Sequence, residues 1–337
     1  MMILVTGGLG YIGSHTCVDL MRAGYDVTIL DNLANSKLAV LERIRSLGGA
    51  SIEFHRADLR DAQALEAAFS RNPVDAVIHF AGHKAVGESV EKPLEYYDNN
   101  VGGTLALLRA MERFSVRRIV FSSSATVYGT PQRLPLKECH PLSAVNPYGR
   151  TKQFIESILA DIATGVPGFR HATLRYFNPI GAHPSGQIGE DPRGIPNNLF
   201  PYVTQVAIGR LKTLRIFGND YDTPDGTGVR DYIHVMDLAA GHVAALRFLR
   251  DRDRSITVNL GTGRGNSVLE VVGAFERVTG ISIAREFSAR RPGDVASCYA
   301  DTSFATTALG WRTRLGIEDM CRDAWAWQSA NPQGYPD

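Results

Sequence analysis

Short apolar runs alternate with helical patterns along the first half of the chain. The runs are rich in β-branched residues and predict strands near residues 3–6, 27–30, 52–55, 76–80, 118–122 and 172–176. Between them, apolar residues recur at helical spacing near residues 12–23, 38–47, 62–69, 94–114 and 148–162. Strands this apolar are typical of parallel sheets that helices cover on both faces, so the pattern predicts a doubly wound, Rossmann-type α/β fold.

The pattern changes beyond Phe177, because proline and glycine become frequent between residues 179 and 196. Such stretches form loops, and long loops in compact domains are often functional. The helix and strand patterns that follow are shorter. We therefore predict a first domain over residues 1–177. A smaller α/β lobe over residues 178–337 would close over a ligand, with some of its segments returning to the first domain.

Composition removes several classes of protein from consideration. The 337 residues are 44% hydrophobic and 21% charged, and 36 Lys and Arg against 35 Asp and Glu give a formal net charge of +1. That balance favours neither nucleic acid nor an acidic membrane as a partner. No leader pattern and no apolar run near the roughly 20 residues of a membrane span are visible. We expect a cytoplasmic protein without a metal, whose cysteines are free thiols: Cys17, Cys139, Cys298 and Cys321.

A glycine-rich turn follows the first predicted strand and opens the first predicted helix. The stretch Gly7–Gly13 fits GxGxxG counted from Gly8 and GxxGxxG counted from Gly7, with Gly10 shared. Glycine lets the backbone turn tightly there and approach a pyrophosphate, whose charge then faces the helix N-terminus. The pattern alone is a weak signal, but its place between strand and helix predicts a dinucleotide site.

Two acidic residues bear on which dinucleotide binds. Asp31 ends the second predicted strand at the spacing of a ribose-binding carboxylate, which would repel a 2′-phosphate. Because Asn32 and Leu33 follow rather than Arg, the sequence favours NAD over NADP. Asp58 follows the third predicted strand. It could reach the adenine, or it could cap a helix before Leu59, and spacing leaves both interpretations open.

Three residues suggest chemistry. Ser124 follows the strand predicted at residues 118–122, and ligands bind at the carboxyl ends of such strands. Tyr148 and Lys152 form a YxxxK motif. With Asn146 as the N-cap and Pro147 as the first helical residue, Tyr148 and Lys152 share one helix face.

A phenol with its usual pKa near 10 is a poor base at neutral pH. The Lys152 ammonium, the helix N-terminus and an oxidised nicotinamide would favour the phenolate of Tyr148. We therefore predict that Tyr148 is the general base for a sugar hydroxyl and that Ser124 relays the proton. Taken alone, YxxxK is more often an ordinary pair on a solvated face, so the glycine turn upstream is what favours catalysis.

These motifs resemble those of the extended short-chain dehydrogenases/reductases, and more narrowly those of the bacterial UDP-glucose 4-epimerases. The resemblance covers nearly the whole chain. The motifs shared with the superfamily lie at residues 7–13, 31–33, 79–82, 84–89, 96–100 and 122–129. Those more specific to the epimerases lie at residues 175–179, 194–199, 225–235 and 325–337.

The resemblance implies a mechanism and an assembly. Such enzymes epimerise UDP-glucose and UDP-galactose reversibly at C4′ through a transient 4-keto sugar, with an NAD that stays bound because there is no net redox change. The resemblance also implies a homodimer joined by the helices over residues 94–114 and 148–162, packed as a four-helix bundle.

The resemblance further implies which residues bind the two ligands. NAD would be held by Gly7, Gly10, Tyr11, Ile12, Gly13, Asp31, Asn32, Asn35, Ser36, Asp58, Leu59, Phe80, Ala81, Gly82, Lys84, Asn99, Ser122, Tyr148, Lys152 and Phe177. The UDP-sugar would be held by Lys84, Ser124, Tyr148, Asn178, Asn198, Leu199, Phe217, Arg230, Tyr232, Arg291, Asp294 and Cys298. Diphosphate oxygens accept a planar guanidinium well, although Arg230 or Arg291 alone could equally form a surface ion pair.

Cys298 departs from one pattern of the family. It aligns with a position beside the sugar, where a bulky Tyr accompanies restriction to UDP-glucose and UDP-galactose. Family members with a small residue there also accept the N-acetylated sugars. We therefore expect activity on UDP-GlcNAc and UDP-GalNAc as well, unless the neighbouring Tyr299 fills the space.

Three other functions compete with this interpretation. A nucleotide-sugar 4,6-dehydratase needs an acid pair beside the serine, but Ala125 and Thr126 follow Ser124. A UDP-glucuronate 4-epimerase or decarboxylase would need a group for the substrate carboxylate and is excluded less firmly. A non-catalytic NAD or nucleotide-sugar sensor would have been indicated by the loss of Tyr148 or Lys152, and both are present.

Overall fold

A computed structural model describes residues 1–49, 52–291 and 293–336 of the chain. Its strands are β1 (Met2–Thr6), β2 (Asp26–Asp31), β3 (Glu53–Arg56), β4 (Val74–His79), β5 (Arg118–Ser124), β6 (Arg170–Tyr176), β7 (Asn178–Ile180), β8 (Leu214–Phe217), β9 (Val229–Arg230), β10 (Tyr232–His234), β11 (Ile256–Leu260), β12 (Asn266–Ser267), β13 (Arg285–Ser288) and β14 (Ser297–Cys298). Its helices are α1 (Tyr11–Arg22), α2 (Ala39–Gly48), α3 (Ala62–Arg71), α4 (Val86–Glu91), α5 (Pro93–Tyr96), α6 (Gly103–Arg113), α7 (Pro147–Gly165), α8 (Leu199–Ala207), α9 (Val235–Arg252), α10 (Val268–Thr279), α11 (Ser303–Leu309) and α12 (Ile317–Ala330).

Seven of these strands form one parallel sheet in the order β11-β6-β5-β4-β1-β2-β3. Side chains of a strand alternate between the two faces. Ile3 and Val5 accordingly join one apolar cluster with α1, α2 and α9, while Leu4 joins a second with α3, α6 and α7. Both faces of the sheet are therefore buried under helices, and the predicted Rossmann-type fold is confirmed.

The second half of the chain contributes to both parts of the molecule. β11 pairs with β6 at the edge of the sheet, and α9 packs beside α1. The other segments surround a separate apolar cluster that includes Phe200, Val271, Phe275 and Met320. The division at Phe177 stays a prediction. The expectation that only shorter elements follow Phe177 is wrong, because α9 has 18 residues.

The bounds of the predicted elements in the first half agree with the structure to within three residues, and the largest deviation is the end of α7 at Gly165. The short helix α4 was not predicted, and one predicted helix differs in kind. The helix predicted at residues 94–114 is a run of three segments, in which a π-helical turn, Tyr97–Gly102, joins α5 to α6. A single 3-10 turn, Ala125–Tyr128, follows β5.

The four cysteines in the described part of the chain are free thiols. Within it, no helix has the length and apolar character needed to cross a membrane. The same residues contain no cluster of three or more His, Cys, Asp or Glu side chains arranged to hold a metal ion.

Candidate active site

The glycine turn after β1 leaves no space for side chains. Gly7 has a φ of +68°, and a Cβ there would lie 2.8 Å from the Ala81 nitrogen. A Cβ on Gly13 would lie 2.3 Å from the Gly7 carbonyl oxygen. The N-cap of α1 is Gly10, which offers no side-chain hydrogen bond to the first turn. The backbone N–H groups at this helix end are therefore available to an anion, as a pyrophosphate requires, so this part of the site fits a dinucleotide.

Asp31 stands at the end of β2 beside that turn. Its carboxylate accepts hydrogen bonds from the Leu9 nitrogen at 3.1 Å, the Leu33 nitrogen at 2.9 Å and the Ser36 hydroxyl at 2.8 Å. Asp31 is buried, so these bonds fix its orientation. A carboxylate held in this way suits ribose hydroxyls and opposes a 2′-phosphate.

Asp58 does not cap a helix. The N-cap of α3 is Asp61, whose side chain accepts hydrogen bonds from the backbone nitrogens of Gln63 and Ala64. Asp58 accepts instead from the Arg60 guanidinium at 2.9 Å and from the Asn32 amide at 3.0 Å. The bond from Arg60 is the main reason that the pKa of Asp58 lies below its usual range.

The remaining candidate NAD residues lie on the loops after β2 and β4 and on nearby elements. Phe80 packs against the ring of His242 with centroids 4.7 Å apart. Asn100, which the sequence analysis did not single out, holds the loop after β4. Its side chain accepts from the His83 nitrogen at 2.8 Å and donates to the His83 oxygen at 3.0 Å. Ile12 is half-buried on α1, Asn35 is exposed after β2, Leu59 is buried near Gly103, Gly82 lies beside Asn100, and Asn99 donates to Asn100.

The predicted start of the catalytic helix is confirmed. Asn146 caps α7 by accepting a hydrogen bond from the Gly149 nitrogen at 2.8 Å, and Pro147 is the first helical residue. Tyr148 and Lys152 are both buried. Ser124 is the last residue of β5, and its hydroxyl lies near enough to the phenol of Tyr148 to lower the pKa of that phenol. The structure therefore brings the three predicted catalytic residues together at the carboxyl end of β5.

The electrostatics of this group differ from the sequence-based expectation. Lys152 donates to the Ser122 carbonyl oxygen at 2.8 Å, and its ammonium lies 5.9 Å from the centre of the Tyr148 ring. Burial raises the pKa of Tyr148 to about 12, opposed only by the Ser124 hydroxyl. Burial likewise lowers the pKa of Lys152 to about 8. Among the protein's own groups, burial therefore opposes the phenolate of Tyr148, and the Ser124 hydroxyl favours it.

A buried ion pair supports the catalytic helix and was missed from the sequence. The Glu156 carboxylate accepts from the Arg175 guanidinium at 2.6 Å and from the Ser123 hydroxyl at 2.5 Å. Glu156 lies one helical turn beyond Lys152 and opposes the lowering of the pKa of Lys152. The spacing of Tyr148, Lys152 and Glu156 at i, i+4 and i+8 was the available signal.

Most of the candidate UDP residues lie on short strands and loops of the second half of the chain. Asn178 pairs with Tyr232 between β7 and β10, and Arg230 pairs with Cys298 between β9 and β14. Phe217 lies at the end of β8, and Arg291 and Asp294 lie on the loop before β14. There the Arg291 guanidinium lies 4.8 Å from the Phe217 ring and forms an ion pair with Asp294 at 3.0 Å. Pro292, which follows Arg291, and Asp337, the last residue of the motif at residues 325–337, lie outside the described residues.

The side chains of Asn198 and Lys84 are both hydrogen-bonded to Glu190, a residue that the sequence analysis missed. Asn198 is the N-cap of α8, which begins at Leu199. Its amide donates to the Glu190 carboxylate at 3.0 Å, and the Lys84 ammonium donates to the same oxygen at 3.0 Å. Glu190 lies in the loop rich in glycine and proline, where no periodic pattern pointed to it.

A glycine turn with its acidic partner, together with a serine, a tyrosine and a lysine at the end of β5, defines a dinucleotide-dependent enzyme of the short-chain dehydrogenase/reductase class. Residues 4–324 match the family model described as GDP-mannose 4,6 dehydratase. The chain is 57% identical to the UDP-glucose 4-epimerase of Bacillus subtilis (strain 168) over 335 residues, which is 99% of both proteins. It therefore belongs to the UDP-glucose 4-epimerase family.

Solved structures support the same assignment. The UDP-glucose 4-epimerase of Stenotrophomonas maltophila, with bound NAD and formylated UDP-arabinopyranose, matches with a TM-score of 0.97 and 52% identity over 99% of both chains. The epimerase of Bifidobacterium longum, in complex with NAD+ and UDP, matches with a TM-score of 0.97 and 52% identity over 99% of this chain and 100% of the other. The predicted family, the isomerase class and the expectation of NAD are confirmed.

Proposed function

We propose that this protein interconverts UDP-glucose and UDP-galactose at C4′ with a resident NAD. The observation that carries the proposal is the buried phenol of Tyr148 beside Ser124 at the carboxyl end of β5, the same edge of the parallel sheet at which the glycine turn follows β1. A buried phenol with a serine partner is a proton-transfer group for a hydroxyl, and the turn supplies a place for a dinucleotide beside it.

Each residue of this site has a separate role in the reaction. When bound, NAD supplies the acceptor and donor of the C4′ hydride, and its positively charged ring favours the phenolate of the neighbouring tyrosine. Tyr148 takes the proton of the 4′-hydroxyl and later returns it to the keto oxygen. Ser124 donates to the same oxygen and holds it in line with the phenol. Lys152, fixed by the Ser122 carbonyl, keeps a positive charge beneath the reacting group.

The residues around Ser124 and the catalytic pair bear on the competing functions. A 4,6-dehydratase would need an acid pair after the serine, whereas Ala125 and Thr126 follow it and form a 3-10 turn. A non-catalytic sensor would have no use for Tyr148 and Lys152 buried together. A UDP-glucuronate 4-epimerase is the remaining alternative, because Arg230 and Arg291 could serve a carboxylate as well as a diphosphate.

Turnover without added cofactor tests the proposal. Purified protein is mixed with UDP-galactose, and the formation of UDP-glucose is followed by proton NMR, with UDP-glucuronate in a parallel sample. We expect conversion of UDP-galactose to an equilibrium mixture and no conversion of UDP-glucuronate. Conversion of UDP-glucuronate alone would replace the proposal with the alternative, and conversion of neither would remove both.

The surroundings of Cys298 support the wider specificity for N-acetylated sugars. Cys298 is half-buried and packs against the cluster that contains Phe177 and Val127, next to the catalytic strand. Successive residues of a strand point to opposite faces. The ring of Tyr299 lies instead against Gly265, where a Cβ would be 3.2 Å from its Cδ1 atom. Tyr299 therefore does not fill the space that the small thiol leaves.

We expect the wild-type protein to convert UDP-GlcNAc with a kcat/KM within about tenfold of that for UDP-glucose. Cys298→Tyr should lower kcat/KM for UDP-GlcNAc by about 50-fold and leave that for UDP-glucose within threefold, because overfilling a packed site costs roughly 1–3 kcal/mol. Cys139→Tyr, on an exposed cysteine, is the matched control. Equal and negligible UDP-GlcNAc rates in wild type and in Cys298→Tyr would remove the idea.

A homodimer is also part of the proposal. Leu94 and Phe154 are 83% and 48% exposed on α5 and α7, in the two segments that the family resemblance assigns to the interface. Val90, on α4 just before them, is 63% exposed. Contiguous exposed apolar side chains mark association surfaces, and helices of this kind bury such faces in bundles.

Replacing Leu94 and Phe154 together with Arg should turn a dimer into a monomer. Two buried charges without partners would each oppose association by several kcal/mol. Light scattering coupled to size-exclusion chromatography measures the mass. Phe287→Arg, at an exposed phenylalanine on β13, should leave the dimer intact. A monomeric wild-type protein would contradict the assembly.

A further inference from the structure

Glu190 links the two parts of the substrate site. Its carboxylate, with a side chain only 10% exposed, accepts from Lys84 on the loop after β4 and from Asn198 at the start of α8. One oxygen thus receives a donor from each part of the molecule. The placement of Glu190 then fixes where the Lys84 ammonium and the Asn198 amide point.

The residues on either side of Glu190 are held by the segment 331–336, which follows α12. The phenol of Tyr335 accepts a hydrogen bond from the Gly189 nitrogen at 2.9 Å and donates to the Gly189 oxygen at 3.2 Å. The Tyr335 nitrogen donates to the Asp191 carboxylate at 3.0 Å. The Lys37 ammonium donates to the backbone carbonyl oxygen of Tyr335 at 2.7 Å and lies 3.6 Å from the Asp191 carboxylate. Tyr335 therefore holds both neighbours of Glu190 at once.

The contact between Tyr335 and the loop around Glu190 is closely packed. The rings of Trp327 and Tyr335 lie 4.4 Å apart, and the Trp327 indole nitrogen donates to the Glu190 carbonyl oxygen at 3.3 Å. A Cβ on Gly189 would lie 2.2 Å from the Trp327 ring, and one on Gly334 would lie 2.2 Å from an Asp191 oxygen. Neither glycine could carry a side chain without moving the loop. The Glu190 backbone is thus confined by α12 on one side and by the segment 331–336 on the other.

We propose that the segment 331–336 is a working part of the substrate site, with Tyr335 as a positioning residue that acts through Glu190 on Lys84 and Asn198. This inference rests on the proposed function, because it concerns the same UDP-sugar site. It gives a role to a motif, residues 325–337, that the proposed chemistry leaves unexplained. Among the described residues, the hydrogen bonds and ring contact of Tyr335 go to Lys37, Gly189, Asp191 and Trp327 and to none of the candidate UDP-binding residues, so its effect must pass through the loop.

Binding of UDP to the NAD-containing protein, measured by calorimetry, tests the inference without turnover. Tyr335→Phe keeps the contact between the rings of residue 335 and Trp327 and removes the hydrogen bonds of the phenol, and it should weaken UDP binding about fivefold. Glu190→Ala should weaken it about tenfold. Because both act through one carboxylate, the double variant should bind no more weakly than Glu190→Ala. In steady-state assays KM for UDP-glucose should rise by the same factors while kcat stays within twofold.

Two further variants separate positioning from general stability. Gln333→Ala, at an exposed residue of the same segment, should change neither binding nor the midpoint of thermal unfolding. Asp191→Ala removes the carboxylate that accepts from Tyr335, so it should reproduce the weakened binding even if Tyr335→Phe folds poorly.

Several results would overturn the inference: unchanged or tighter UDP binding in Tyr335→Phe and Asp191→Ala, or losses that multiply in the double variant. A wild-type protein that binds UDP as described but does not epimerise would reject the proposed function and leave this inference standing.

Discussion

Tyr148→Phe is expected to lower kcat for UDP-galactose about a thousandfold, because positioned proton transfer contributes roughly 10²–10⁴ in rate. The substitution removes one oxygen from a buried site and keeps the ring that packs beside Lys152. Folding and UDP binding should therefore change little.

Stopped-flow absorbance of the resident cofactor and steady-state assays together measure this effect. Tyr202→Phe, a half-buried tyrosine in the apolar cluster of the smaller lobe, is the matched control and should keep full activity. Retention of more than a tenth of the wild-type kcat by Tyr148→Phe would falsify the assignment of Tyr148 as the proton-transfer group.

Acid is expected to destabilise the protein strongly between pH 6.5 and pH 4. His15, His79 and His242 are fully buried, and burial lowers their pKa values to about 3, about 3 and about 4. In the unfolded chain each histidine binds a proton near pH 6.5, so below that pH the unfolded state binds more protons than the folded state. The stability that neutral histidines contribute is complete above pH 6.5 and is lost as the pH falls.

At pH 5 each histidine lowers the free energy of unfolding by about 2 kcal/mol relative to its value above pH 6.5, and the three together lower it by about 6 kcal/mol. That is a large share of the roughly 5–15 kcal/mol by which domains are stable. Urea unfolding at pH 7.5 and pH 5.0, followed by circular dichroism, measures it. His242→Gln should lower the number of protons that the chain takes up on unfolding at pH 5 by about one. His140→Gln, at a half-exposed residue, should leave that number unchanged. Equal stability at both pH values would show that these histidines titrate normally.

Much of the fold and part of the site could be predicted because they depend on local rules. Apolar runs separated by amphipathic helices indicated the parallel sheet, since each pattern follows from the geometry of its own element. The glycine turn, Asp31 and the start of α7 at Asn146 were readable for the same reason. Their spacing along the chain fixes which groups share a turn or a helix face.

The sequence alone therefore determined the fold class and the family, and it predicted the NAD site and the trio of Ser124, Tyr148 and Lys152. Only the tertiary structure decided the joining of β11 to the sheet and the placement of Glu190 by Tyr335 from 145 positions along the chain. It also showed that burial raises the pKa of the Tyr148 phenol. Such features depend on burial and on contacts between distant residues, and no local periodicity records them.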